Sequence, residues 1–242
     1  SCQSTISGSM QAFDPSVLCS SVTSGTLTDS RGGTQSYTVA KLADGKWWMT
    51  ENLNLAGGTA LSSADTNVTD AYINSFTTSN NLTKNGNTIV LPASSTSGFD
   101  TANYSYVYNS GNKTNCGASG QNTPCYSYYS WDAATLGSGR SISTDNTDAQ
   151  QSICPKGWKL PNSRSTVAGN SDFYQLAVAY GMDPSSTSQS TSNFFSQAGP
   201  GTTPNFLLTG YYLNGSFYDG GSSGTYWSST SYPNTSSAYY FS

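Results

Sequence analysis

At 242 residues and 35% hydrophobic content, the chain has room for one large domain or one domain with a smaller appendage. Only 9% of its residues are charged and the formal net charge is −4, with the basic residues scattered singly, so no stripe exists to neutralise phosphates and the balance argues against a nucleic-acid partner. Histidine is absent, which excludes His-based hydrolase triads and His-based zinc sites, and five cysteines without a Cys-x-x-Cys arrangement do not make a cysteine-only metal site.

In chain order, Asp14 ahead of Pro15 reads as an N-cap and first helical residue, opening a short helix with Val17 and Leu18. Leu27, Tyr37, Val39 and Leu42 lie in β-prone stretches broken by turns at Arg31-Gly32-Gly33 and Asp44-Gly45, which predicts a hairpin or short meander. From about 56 to 120 the chain is rich in Ser, Thr, Asn and Gly, with apolar islands at 88–91 and 104–108. That is too long for a bare loop, so short strands and a decorated insertion are expected, with a helical turn from Asp70 to Phe76. Tyr128, Trp131, Asp132 and Thr135 fall at helical spacing with Gly137 as a stop. A clearer helix follows Asn170-Ser171-Asp172, with Phe173, Leu176, Ala177 and Tyr180 on one stripe and Gly181 at its end. Thereafter 205–221 reads as a hairpin around Asn214-Gly215, and 225–232 and 238–242 as further strands. The sum is an α+β class, with residues 1–25 as an N-terminal helical segment and 26–242 as the main domain carrying the Ser/Thr/Asn-rich insertion at about 56–120.

The dominance of Ser, Thr, Asn, Gly and Tyr resembles extracellular proteins and paratopes, where Tyr supplies rigid contact area and the small polar residues adaptable hydrogen bonds. No run approaches the ~18 apolar residues of a membrane span and no basic-then-apolar segment opens the chain, so the sequence reads as a mature, exported product. In an oxidising compartment the odd cysteine count leaves one thiol unpaired or paired outside this sequence. Cys116 and Cys125 bracket a polar loop and form the easiest local bridge, and Cys2 can close on Cys19; sequence alone leaves the connectivity open. Six Asn-x-Ser/Thr sequons, at Asn67, Asn81, Asn103, Asn112, Asn214 and Asn234, are near expectation for this composition.

Several phrases occur in a telling order: YTVAKLADGKWWMTENLNL, YYSWDAAT, ICPKGWKLPN, SDFYQLAVAYG, FLLTGYY and GTYWSSTSY. Together, over roughly 26–55 and 125–242, they resemble the Fibrobacter succinogenes major paralogous domain, a family of exported bacterial proteins. The resemblance implies a C-type-lectin-like fold, two helices flanking a small twisted antiparallel sheet with long loops displaying a binding surface. It also implies exposure at the cell surface and recognition. Two departures stand out: Trp47 sits where family members often carry a cysteine partnering one placed like Cys19, and the chain stops at Ser242, where many members continue into a closing strand with a cysteine that would partner Cys154. By that reading a sheet edge is open, and self-association by strand addition becomes a hypothesis.

Trp227 stands where a C-type lectin carries its Trp-Asn-Asp calcium and sugar signature, but Ser228-Ser229 replaces the Asn-Asp pair and supplies no carboxylate, so no metal is expected. Tyrosines crowd the last third of the chain, and half of any strand set points inward. The candidate ligand-binding set is Tyr218, Asp219, Tyr226, Trp227, Tyr232, Asn234 and Tyr239. Trp47-Trp48-Met49 reads as a strand seated on the core, Glu51 as satisfied by backbone or a basic side chain, and Asp132 as a helix-anchoring acceptor. No cofactor and no catalytic residue is expected. One Glu and twelve Asp, mostly in turns, offer no facing carboxylate pair for a glycosidase, and a formylglycine-generating-type enzyme would need two close cysteines where only Cys154 lies. The functional expectation is a secreted binding or adhesion protein recognising a protein or glycan through a Tyr/Ser/Asn-rich loop face, with a structural subunit of an extracellular filament or surface assembly as the alternative.

Overall fold

The computed structural model describes residues 1–95, 105–114, 116, 123–142, 144, 146–163, 170–183, 192–199, 202, 205–232 and 238–241. Alternating burial along Ser24–Asp29 (β1) and Gln35–Lys41 (β2) places Leu27, Tyr37 and Val39 on one face, and the two strands pair antiparallel with Leu27 opposite Tyr37. The tight Asp44-Gly45 turn, with Gly45 at φ 78°, returns the chain as Trp47–Met49 (β3), giving a three-stranded sheet in the order β1-β2-β3. The predicted meander is therefore present.

Strand parity then sorts the Trp-Trp-Met run. Trp47 and Met49 share the face of Leu27, Tyr37 and Val39, against which Met10, Ile6, Phe13 and Trp158 pack. Trp48 points to the opposite face, into a cluster with Phe173, Leu176, Phe194, Phe206 and Phe241. Much of that second cluster comes from two helices, Asp172–Ala179 (α3) and Ser192–Ala198 (α4). Of the run Asn170-Ser171-Asp172 ahead of the expected helix, Ser171 caps α3 by accepting from Tyr174 N–H; α4 falls in a stretch to which the sequence assigned no element.

The largest core cluster draws nine of its thirteen buried residues from Leu55 to Val107. The Ser/Thr/Asn-rich stretch is thus part of the core rather than a decoration on it. Its first apolar island folds as Thr88–Val90 (β6), which pairs with Ala60–Leu61 (β4) and Thr83–Asn85 (β5) in the order β4-β6-β5, beside the predicted helical turn Asp70–Ser75 (α1), capped by Thr69. Val107–Asn109 (β7) pairs antiparallel with Ser127–Tyr129 (β8). Tyr128 accordingly sits in a strand and not in the expected helix, which begins only after the Ser130 cap and spans Trp131–Ala134 (α2).

The hairpin Tyr211–Leu213 (β9) and Ser216–Tyr218 (β10) turns at Asn214 (φ 50°) and Gly215 (φ 80°), two positive-φ residues as the turn type requires. Tyr226–Ser231 (β11) pairs antiparallel with Ala238–Phe241 (β12). The class is mixed α+β with small antiparallel sheets. At the N-terminus the expected helix is confined to two 3-10 turns, Met10–Ala12 and Pro15–Val17, the latter capped by Asp14. Both local disulfides are present, Cys2–Cys19 with Cα atoms 4.9 Å apart and Cys116–Cys125 with Cα atoms 5.6 Å apart, leaving Cys154 as a free thiol. No described helix is long and apolar enough to cross a membrane.

Candidate binding cleft

A cleft of about 520 Å³ opens beside β3. Its walls come from segments far apart in sequence: Trp47, Met49 and Leu53 on and after β3, Trp158 and Leu160 on the loop after Cys154, and Tyr128, Tyr211, Tyr226 and Trp227 from β8, β9 and β11. That volume lies in the range of pockets that take small ligands, and an apolar wall with few polar groups is their usual character.

Four of the wall aromatics are fixed by their polar ends. Trp158 donates its indole N–H to Met10 C=O at 2.9 Å and stacks on Phe13, with ring centroids 5.6 Å apart. Trp227 donates to Tyr129 C=O at 2.7 Å, Tyr226 donates its hydroxyl to Leu207 C=O, and Tyr128 donates to Thr209 C=O at 2.8 Å. Burial pushes the phenols up, Tyr128 to about 12 and Tyr226 further still, so both remain neutral donors. With its hydrogen bonds satisfied inside the fold, each ring turns an apolar surface to the cleft.

The charged residues of the lining are engaged by the protein itself. Asp172 receives Lys46 Nζ and Lys159 Nζ, each at 2.9 Å, and the backbone N–H of Asn162 at 3.1 Å. Burial works to raise the Asp172 carboxyl, but the two lysines and the Asn162 N–H outweigh it and hold the group below the usual carboxylate range. Glu51 accepts from Thr38 N–H and from Tyr126 Oη, so its expected satisfaction comes from backbone and a phenol. Cys154 also lines the cleft; burial pushes its thiol up, and its carbonyl accepts from Arg31 Nη1 at 3.3 Å. Among the described residues no cluster of three or more Cys, Asp or Glu is placed to hold a metal ion.

The strand edge along the cleft is unpaired. Thr50 N–H donates to Thr38 C=O and Leu42 N–H to Lys46 C=O, so the hydrogen-bonded pairs of the β2–β3 ladder are 42/46, 40/48 and 38/50. The N–H and C=O groups of Trp47 and Met49 therefore point away from β2. Among the described residues they meet no hydrogen-bond partner.

The candidate residues named from sequence are distributed over separate places. Tyr226 and Trp227 line the cleft, and Tyr211, which also lines it, stacks on the exposed Tyr218 with ring centroids 5.4 Å apart. Asp219 follows β10 at φ 57°, exposed, its carbonyl accepting from the turn residues Ser222 and Ser223. Tyr232, 46% exposed, packs edge-to-face on Tyr239 at 5.2 Å as a second aromatic pair. Asn234 lies outside the described residues. Sequence reasoning missed the cleft role of Trp47, Met49, Trp158 and Leu160; the sequence signal available was strand parity in the Trp-Trp-Met run, which places two of the three on one face.

Comparison with protein-family models, with curated proteins and with solved structures finds no match to this chain.

Proposed function

We propose that the protein is an extracellular recognition module of C-type-lectin-like fold that binds a protein or glycan ligand, with the aromatic cleft beside β3 as its principal contact region and Tyr218, Tyr232 and Tyr239 as further aromatic contacts outside it. The observation that carries this reading is an apolar cleft in which the wall aromatics Tyr128, Trp158, Tyr226 and Trp227 have their polar ends satisfied and whose charged residues are engaged within the fold. Such a site has surface to offer, and its described carboxylates, Glu51 and Asp172, are already engaged within the fold. Two disulfides and the low charge fit an oxidising, extracellular setting.

The test compares wild type with Leu160→Arg, which puts a charge on the cleft wall. Glycan arrays and pull-downs with immobilised extracellular proteins are expected to lose their signal in the variant while its circular dichroism is kept. A ligand that binds both equally places recognition elsewhere. A second reading, a structural subunit of an extracellular assembly, draws on the same unpaired β3 edge, since exposed edges template pairing with other chains. Filaments in negative-stain images of native material would favour it.

A further inference from the structure

We propose, building on the recognition reading, that the cleft binds an extended, uncharged polypeptide segment of a separate partner chain, which adds to the free edge of β3 as a new antiparallel or parallel strand. Three observations converge on this occupant. First, the N–H and C=O groups of Trp47 and Met49 project from the half-buried β3 edge without partners, and a row of alternating donors and acceptors at strand spacing is matched by another peptide backbone. Second, apolar side chains line the cleft, among them Met49, Leu53, Leu160, Tyr226 and Trp227, which suits a segment with apolar side chains at alternate positions. Third, the charged residues described in the lining balance, Lys46 and Lys159 against Glu51 and Asp172, so the cleft carries no net formal charge to select an acidic or a basic ligand. A glycan would satisfy the apolar walls but not the spacing of the edge groups.

Cys154 lines the same cleft and makes occupancy readable. The probe is the peptide acetyl-Thr-Val-Thr-Cys-Thr-Val-Thr-amide, its cysteine carried as a mixed disulfide with thionitrobenzoate. The Cys154 thiolate attacks the peptide sulfur, the bond to thionitrobenzoate breaks, and that anion leaves with the electron pair and is read by its colour; a peptide–Cys154 disulfide remains and no oxidant is consumed. The control peptide replaces both valines by proline, which cannot donate to a ladder. On wild type the valine peptide is expected to trap about tenfold faster than the proline peptide, and in the trapped complex the Trp47 and Met49 amides gain protection from hydrogen exchange.

Met49→Pro removes an edge donor that the β2–β3 ladder does not use, so the sheet is retained and the difference between the peptides disappears. Equal rates for the two peptides on wild type, or no new protection at Trp47 and Met49, overturn the proposal. So does protection of those amides in the protein alone that is lost on dilution, which would make the occupant a second copy. Should the variant not fold, the exchange measurement on wild type decides. If Leu160→Arg abolishes binding of a glycan while the two peptides trap equally, the recognition reading stands and the strand proposal falls alone.

Discussion

Replacing Arg31 by Met removes a guanidinium that ties the β1–β2 turn to the cleft wall. Arg31 and Asp29 form an ion pair at 2.8 Å with side chains 1% and 0% exposed. Arg31 Nε reaches both Asp29 oxygens, and Nη1 donates to Thr66 Oγ1 at 2.9 Å, Ile153 C=O at 2.9 Å and Cys154 C=O at 3.3 Å. The substitution strands a buried carboxylate and three acceptors, a change that costs about 3–5 kcal/mol. With a urea slope of about 2–3 kcal/mol/M, the unfolding midpoint falls by about 1–2.5 M.

The pH dependence separates this from a packing loss. In the wild type burial works to raise the Asp29 carboxyl, but hydrogen bonds from Arg31, its charge and Gln11 outweigh it, so the folded value lies below the ordinary one. The pair therefore contributes stability above about pH 4, the ordinary carboxylate value, and loses it as pH falls through the lower folded value. In the variant the guanidinium's charge and hydrogen bonds are gone and burial is opposed only by Gln11 and the backbone N–H of residue 31, so the carboxyl rises relative to wild type, protonation relieves part of the penalty, and the gap between the proteins narrows as pH is lowered toward about 4. Urea unfolding followed by tryptophan fluorescence at pH 7 and pH 4.5 reads both effects. A loss below about 1 kcal/mol at pH 7, or a gap that ignores pH, refutes the reasoning. The double variant Asp29→Leu with Arg31→Met, which strands neither charge, is expected to recover most of the loss.

Asp132 gives the opposite sign. It pairs closely with Arg140, yet Asp132 Oδ1 and Arg140 Nε lack a well-directed hydrogen bond, and burial pushes the carboxyl up to about 6 against the guanidinium's pull. The folded state then holds a proton that the unfolded state has released, so this group's contribution is full below about pH 4 and fades as pH rises through about 6. Thermal midpoints measured across that range should decline in wild type relative to Asp132→Asn; parallel curves would contradict the assignment. Phe194, 0% exposed, contacts Tyr180, Phe195, Phe206 and Phe241 edge-to-face, at centroid distances of 4.9 to 5.7 Å. Phe194→Ala should lower stability by about 3–5 kcal/mol by denaturant titration, and a loss under about 1 kcal/mol would mean that this cluster is loosely packed.

What the residues dictated locally is what could be read from them. The Asp44-Gly45 and Asn214-Gly215 turns, the Asp14 and Ser171 caps and the two short-range disulfides depend on neighbours within a few to about twenty positions, and each is present. Tyr128 is the instructive departure: its spacing to Trp131 fits a helix, but the Tyr-Ser-Tyr-Tyr run is β-prone and β7 supplies a partner strand, which wins over a weak helical period. The polar composition of 56–120 likewise concealed a core, because a few well-spaced apolar residues suffice when Ala133, Leu136 and Ile153 arrive from elsewhere to cover them.

The cleft belongs to the tertiary structure alone. Sequence placed Trp47 and Met49 on a strand, and it showed that no histidine was available for catalysis. Which strand edge stays unpaired is set by the hydrogen-bonding parity of β3 with β2, and its apolar walls exist only because segments more than a hundred residues away in the chain, around Trp158, Tyr211 and Trp227, pack beside it. Periodicity along a chain reports which side chains face inward; it carries no information on which faces meet.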